Sequence, residues 1–297
     1  MKCDLCPRKC LVDRKKGEKG ICGQTENLKV ARAALHFWEE PCISGDAGSG
    51  AVFFSGCPLH CVFCQNENIA NGTVGKEISL ERLVDIFLEL QEKRANNINL
   101  VTPGHFVPQS VKALDQARKE GLTLPVVYNT SSYETVDTIK MLEGYVDIYL
   151  PDFKYMSPVL SKKYSHAPDY AEVAKAAIAE MVRQTGKAVF VNGDEDNLIL
   201  SGTIVRHLTL PGCMADSMQI VKYLHDTYGD KIYISIMNQF TPLSNLEKYP
   251  ELNRRITDEE YETLVDYAID IGIENGFIQE GDTAEESFIP AFDCEGV

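Results

Sequence analysis

The sequence predicts an α/β fold, a partial (βα)6 barrel carrying a four-cysteine metal-binding head. Short apolar runs alternate with stretches whose apolar residues recur at helical spacing, which implies parallel strands joined by right-handed crossovers. Six such runs stand at 51–55, 97–102, 124–129, 146–151, 203–210 and 232–237. Six strands fit a partial barrel, and an open doubly wound sheet is the competing architecture. The 297 residues suffice for one large unit of this type with a small appendage. The expected divisions are a cysteine-rich extension at 1–45, the barrel at 46–240, and a C-terminal helix and edge strand at 241–297 that pack on it.

Residues 1–23 hold Cys3, Cys6, Cys10 and Cys22, with no helix or strand of useful length. Leu28 to Phe37 reads as a strand, and Gly45 to Gly50 as a glycine-rich loop leading into the first barrel strand at Ala51. Ser79 caps a helix with Leu80, Leu83, Val84, Phe87 and Leu90 on one face. Later helices are expected to about Glu120, from about Tyr133 to Glu143, from Asp169 to Thr185 and to about Tyr228. Ala188–Val191 and Leu198–Leu200 flank a polar turn, Asn192 to Asn197, and read as a hairpin. Thr257 and Glu260 form a capping box for a helix to about Ile271, and Phe277–Gln279 adds an edge strand.

Composition narrows the function. No apolar run approaches a membrane span, and Met1-Lys2-Cys3-Asp4 opens no signal peptide, so a cytoplasmic protein with no membrane partner is expected. The net charge of −15 argues against a nucleic-acid binder, although residues 1–20 carry seven basic and three acidic side chains. Seven of the ten cysteines fall in two tight groups, and clustered cysteines in a reducing compartment point to metal rather than disulfides. Exposed clusters of this kind are oxygen-sensitive, so an anaerobic host is expected. Cys42, Cys213 and Cys294 stand alone and read as small hydrophobes, Cys213 being the one near a strand end.

The chemistry begins at Cys57, Cys61 and Cys64, spaced C-x3-C-x2-C directly after the first barrel strand. Three thiolates from one loop suit a cuboidal iron–sulfur cluster and leave its fourth iron without a protein ligand. A zinc knuckle or three buried thiols is the bland reading. The head, Cys3-x2-Cys6-x3-Cys10-x11-Cys22, is too short to fold on its own core and needs a staple. Structural zinc, a second iron–sulfur cluster and uncoordinated thiols are its readings, zinc the first. Functional groups in parallel βα folds gather beyond the carboxyl ends of the strands. Those ends carry Thr102-Pro103-Gly104-His105, Asn129 to Glu134, Asp152-Phe153-Lys154-Tyr155, Arg206-His207 and Asn238-Gln239. Arg206 suits a bidentate grip on a carboxylate, and His207 on the opposite side of its strand reads as packing.

The cysteine loop resembles that of the radical S-adenosylmethionine (SAM) superfamily. With Glu39-Glu40-Pro41-Cys42-Ile43-Ser44-Gly45, Gln65-Asn66, Asp152-Phe153-Lys154-Tyr155 and Arg206-His207-Leu208, the chain is similar to the pyruvate formate-lyase activating enzyme-like, PflX-type branch. That resemblance covers most of the chain and implies a 4Fe-4S cluster on Cys57, Cys61 and Cys64, with SAM as cofactor. It implies Phe63 near the adenine and Asn129 and Ser131 at the ribose or methionyl part. Thr102, Pro103 and Gly104 lie where the superfamily has a Gly-Gly-Glu type motif for the SAM amino group, a departure in this sequence. Asp152 and Lys154 match a catalytic Asp-x-Lys element beside SAM, and Arg206 would grip the SAM carboxylate. His36, Glu39, Glu40, His105, Asn238 and Gln239 are candidates for the substrate side. The implied activity is a radical SAM oxidoreductase that forms a 5′-deoxyadenosyl radical, foremost to activate a partner glycyl radical enzyme. Modification of another peptide or a small molecule is the alternative, and a non-catalytic iron–sulfur or zinc protein the rival class. A flavodoxin or ferredoxin is the kind of electron donor implied.

Overall fold

Side-chain alternation along the strands decides where a site can form. The computed structural model describes residues 2–193, 197–243, 246–279 and 290–297. Its strands are β1 (Lys29–His36), β2 (Ser49–Phe54), β3 (Lys76–Glu77), β4 (Ile98–Val101), β5 (Val126–Thr130), β6 (Ile148–Pro151), β7 (Val189–Phe190), β8 (Ile199–Leu208), β9 (Tyr233–Met237) and β10 (Gly276–Ile278). They form one sheet in the order β10-β9-β8-β6-β5-β4-β2-β1-β3, with β7 paired to β8. From β2 to β10 the neighbours along this order are parallel, and β1 and β3 add an antiparallel edge. Among the described residues no pairing joins β3 to β10, so the barrel stays open on one side.

All six expected barrel strands are present, and so is the edge strand at β10. The differences are local. Leu198–Leu200 is not a separate strand, because Ile199 continues unbroken into Leu208, and Gly202 at φ +146 lets the bent strand pass close to Ala188. Part of the expected hairpin turn, 194–196, lies outside the described residues; its flanks do pair, Val189 with Ser201 and Phe190 with Ile199. The helix expected from Tyr133 shrinks to Val136–Lys140, because Thr135 is its cap and accepts from Thr138 N. Ser49 and Gly50, expected in a loop, already belong to β2. A helix at Pro158–Ser165, capped by Ser157, precedes the expected one at Tyr170–Thr185.

Caps and apolar stripes behave as the sequence predicts elsewhere. Ser79 Oγ accepts from Arg82 N, and the helix Leu80–Glu92 buries Leu83, Val84, Ile86, Phe87 and Leu90. The helix Asp258–Asp270 has its full capping box at Thr257 and Glu260. None of the described helices is long and apolar enough to cross a membrane. Outward strand residues such as Val52, Leu100, Tyr128 and Tyr149 pack with the helix Leu80–Glu92 in one core. Inward residues make a second layer in which Val127, Ile148, Leu150, Ile204 and Tyr233 meet. Further along the same inward positions come Asn99, Asn129, Asp152, Arg206 and Ser235. The barrel interior is therefore apolar at one level and polar at the next.

The head sits against the cysteine loop. Arg8 donates to the carbonyls of Pro58 (2.9 Å), Ser165 (3.0 Å) and His166, and its guanidinium lies over the Tyr133 ring. His60 Nε2 meets the Ile21 carbonyl at 2.8 Å. At the other terminus, Ala33 N donates to Glu295 O and Cys294 N to Ala31 O, which ties the last residues to β1.

Glu134 lies buried beneath this region. Its Oε1 accepts from Tyr128 (3.1 Å) and Thr130 (2.8 Å), while Oε2 has no partner. Burial pushes its carboxyl from the usual 4.5 to about 7. Between these values the folded state keeps a proton that the unfolded chain releases, so stability falls as pH rises through that window. The loss should be about 3 kcal/mol. Glu134→Gln, neutral at every pH, should flatten the profile, as urea denaturation at pH 5 and pH 8 would show.

Candidate active site

The site is built where β2 runs out. Ser55 Oγ is held by the Val74 carbonyl at 2.6 Å, and Gly56 then turns with φ +95. A Cβ at Gly56 would stand 2.5 Å from the Cys22 carbonyl, so only glycine lets the head approach here. The loop then presents Cys57, Cys61 and Cys64 to a cavity of about 260 Å3 at the end of the barrel. Burial pushes the Cys57 thiol up to about 11 and Cys64 to about 12, and the neighbouring Cys61 raises both further. Cys61 is also raised by burial, against the opposing pull of Lys154 and a 2.9 Å hydrogen bond from Ser165 Oγ.

Across the cavity lies the polar layer. Asp152 and Arg206 are register neighbours on adjoining parallel chains, so their side chains emerge together. Arg206 donates from Nε to Asp152 Oδ1 (2.9 Å), from Nη1 to Glu39 Oε2 (2.9 Å) and from Nη2 to Asn129 Oδ1 (2.8 Å). Glu39 Oε1 accepts from Asn99 (3.1 Å) and Asn129 (3.0 Å). Lys154 Nζ lies 2.7 Å from Asp152 Oδ2. Burial pushes Asp152 up, but Lys154 and Arg206 outweigh it and hold the carboxyl below its ordinary value. Burial likewise works against the charge of Lys154, and Asp152 outweighs it, so the lysine stays cationic beside the three thiols. The Tyr170 hydroxyl sits 2.8 Å from the Ser131 carbonyl and 2.9 Å from that of Asp152, and accepts from Lys154 N–H.

The three cysteines, Phe63, Thr102, Asn129, Ser131, Asp152, Lys154 and Arg206 therefore all line one cavity, together with His36 and Glu39. Pro103 and Gly104 do not. Gly104 begins a 3-10 turn and faces the carboxyl of Glu134, 2.4 Å from where a Cβ would stand, so of this trio only Thr102 reaches the cavity. His105 also turns away, buried with Nε2 2.7 Å from the Ser55 carbonyl and pushed down to about 3 by burial. His207 packs as expected between Phe153 O and Ser217 Oγ, both at 2.8 Å. Phe63 touches the cavity but its ring stands edge-on to Tyr155, Tyr164 and Phe240. Gln239 lines this cavity and a second one, and Asn238 lines neither. Sequence reasoning missed Asn99, Ser165 and Tyr170. For Asn99 the signal was there, an amide at an inward position of the apolar run Ile98–Val101.

Residues 51–197 match the sequence model of the Radical SAM superfamily. The chain belongs to the Radical SAM superfamily. An uncharacterized protein of Methanocaldococcus jannaschii is 27% identical over 272 residues, covering 90% of this chain and 74% of that protein. Among solved structures, the Streptococcus suis protein SuiB bound to SAM aligns with a TM-score of 0.52 at 13% identity, over 80% of this chain and 51% of that one. HydG, a maturase of FeFe-hydrogenase, aligns with a TM-score of 0.51 at 14% identity, over 78% of this chain and 52% of that one. The chain spans about half the length of these structures, and at such identity they show the shared fold alone. In this radical SAM protein the matched span contains the cysteine loop, Asn129, Asp152 and Lys154, while Glu39 and Arg206 lie outside it.

Membership implies a 4Fe-4S cluster and SAM, and the donor set fits. Three half-buried thiols on one wall beside a cation match a cluster with one open iron. In the head, Cys10 and Cys22 Sγ each lie 3.3 Å from where a Cβ on Gly20 would be. Among the described residues, in the head as in the cysteine loop, no three or more His, Cys, Asp or Glu side chains are arranged to hold a single metal ion, so head zinc gains no support from the geometry.

Arg206 should matter for folding as well as for the site. Arg206→Met strips Glu39 of its counter-charge and leaves Asp152 with Lys154 alone, and the unfolding free energy should fall by about 3–5 kcal/mol in anaerobic urea titrations. Lys119→Ala, which breaks an exposed pair with Asp115, should change it little.

Proposed function

We propose that the cavity is the active centre of a radical SAM oxidoreductase, with the cluster on Cys57, Cys61 and Cys64 and SAM between it and the polar layer. The observation that carries this is the convergence of the three thiols, Lys154, Asp152, Arg206, Asn129 and Thr102 on one cavity. The chemistry the bound group supplies is one-electron cleavage of the SAM C5′–S bond, giving methionine and a 5′-deoxyadenosyl radical that takes a hydrogen atom from substrate. The protein's own residues hold and shield the reactants. Arg206 has all three guanidinium nitrogens engaged, so it positions Asp152 and Glu39 rather than reaching out alone. Lys154 is the cation facing the thiols, and it offers its remaining donors to the SAM carboxylate. The Ser131 carbonyl and the backbone at Thr102, where φ is +54, offer acceptors for the SAM ammonium. Phe63, fixed by its aromatic neighbours, offers a ring edge to the adenine.

The substrate in this reading is a protein or peptide, first a glycyl radical enzyme activated by hydrogen abstraction. The likeness of motifs such as Glu39–Gly45 and Asp152–Tyr155 to activating enzymes supports it. A second cavity beside the first favours another peptide or small-molecule substrate as the alternative. The electron comes from an external donor of the flavodoxin or ferredoxin type.

Anaerobic reconstitution tests the reading. The wild-type protein with dithionite should release methionine and 5′-deoxyadenosine, and Cys57→Ala/Cys61→Ala/Cys64→Ala should lose about four irons and all release. Iron retained by that variant would place a second cluster on the head thiols. Lys154→Met should keep its iron yet release 5′-deoxyadenosine about tenfold more slowly, the worth of one charge-assisted hydrogen bond.

A further inference from the structure

We propose that the second cavity binds the cationic end of the substrate, an alkylammonium or guanidinium group held by Glu40 and covered by Trp38. This deepens the reading above, since the group held there belongs to the molecule that meets the radical. The cavity encloses about 860 Å3 along the open side of the barrel, between the loop after β1 and strands β9 and β10. Trp38, Glu39, Arg206, Met237 and Gln239 line it and the cluster cavity alike, so the two spaces share one wall.

Glu40 is only 8% exposed, lines this space, and its Oε2 has no hydrogen-bond partner. Burial pushes the Glu40 carboxyl up, against the pull of Arg206 and one hydrogen bond with Ser235, so a cation seated beside it favours the charged form. A buried carboxylate oxygen left without a donor is costly, and a ligand bearing N–H groups removes that cost. The protein does not supply the missing donor itself. Arg206, the cation of the cavity wall, already donates to Asp152, Glu39 and Asn129. The lining holds Glu39, Glu40 and Asp46 against that one engaged arginine, so it repels phosphates and carboxylates. A purely apolar group would leave Oε2 unpaired. Trp38, 56% exposed, lines the same cavity, and an indole face in a cavity that also holds a carboxyl suits a cation on an alkyl stem. Gly48 assists this shape. A Cβ there would stand 2.9 Å from the Phe37 ring beside Trp38.

The probes are the Nα-acetyl amides of lysine, arginine and norleucine, titrated calorimetrically into the reconstituted full chain. The lysine or the arginine amide should bind saturably, and the uncharged norleucine amide about tenfold more weakly or not at all. The lysine and arginine arms distinguish ammonium from guanidinium. Glu40→Gln should weaken the preferred cation about tenfold, and Trp38→Leu severalfold. Equal binding of norleucine, no binding of either cation, or unchanged affinity in both variants overturns the proposal. Should Glu40→Gln lose its iron or fold, the Trp38→Leu comparison decides alone. The two readings fail separately. SAM cleavage without cation binding refutes the subsite, and cation binding without SAM cleavage refutes the radical chemistry.

Discussion

A single buried guanidinium ties this barrel together. Arg206 rises from β8 and meets Asp152 at the end of β6, Asn129 on β5 and Glu39 from the loop after β1. Each is far from it in sequence, by 54, 77 and 167 positions. An arginine drawn this far out of water persists only with counter-charges and hydrogen-bond partners, and here it has both. Because the partners sit on different elements, the same contacts that stabilise the charge also fix the spacing of the strand ends around the cavity. Lys154 then completes the alternation of charge by pairing with Asp152 on the side of the thiols.

This arrangement explains why one inward layer of the barrel is apolar and the next polar. Val127 and Asn129, Leu150 and Asp152, Ile204 and Arg206 are pairs two residues apart on the same face of three parallel strands. The apolar members give the interior a dry floor. On that floor the interactions among Glu39, Asp152, Lys154 and Arg206 are stronger than they would be in water. The open side of the barrel limits that dryness to one end, and there the second cavity meets the first across the Glu39–Arg206 pair.

Much of the site was legible before any coordinates. The cysteine spacing and the polar residues following each apolar run named most of the cavity wall, because a parallel strand must end where its crossover begins and polar groups collect there. The misses have physical causes. Thr102-Pro103-Gly104 looked like three contacts, but the turn at Gly104 carries the chain into the body of the protein against Glu134, so only Thr102 stays at the surface of the cavity. Arg206, expected to grip the SAM carboxylate, lines the cavity with its guanidinium already engaged by carboxylates of the chain itself. The carboxylate that engages it, Glu39, lies 167 positions away, and no local pattern couples the two.

Periodicity determined the six barrel strands, since a period of two or of 3.6 is a property of neighbouring residues. Cysteine spacing likewise determined the cluster loop, because one short loop must supply all three thiols. What only the tertiary structure decided was which charges neutralise which. Ion pairing depends on distances between elements, and those follow from how the sheet curls and where the head and the loop after β1 come to rest. The unpaired oxygen of Glu40 belongs to the same class, an acceptor whose lack of a donor exists only once the loop after β1 has packed against the sheet.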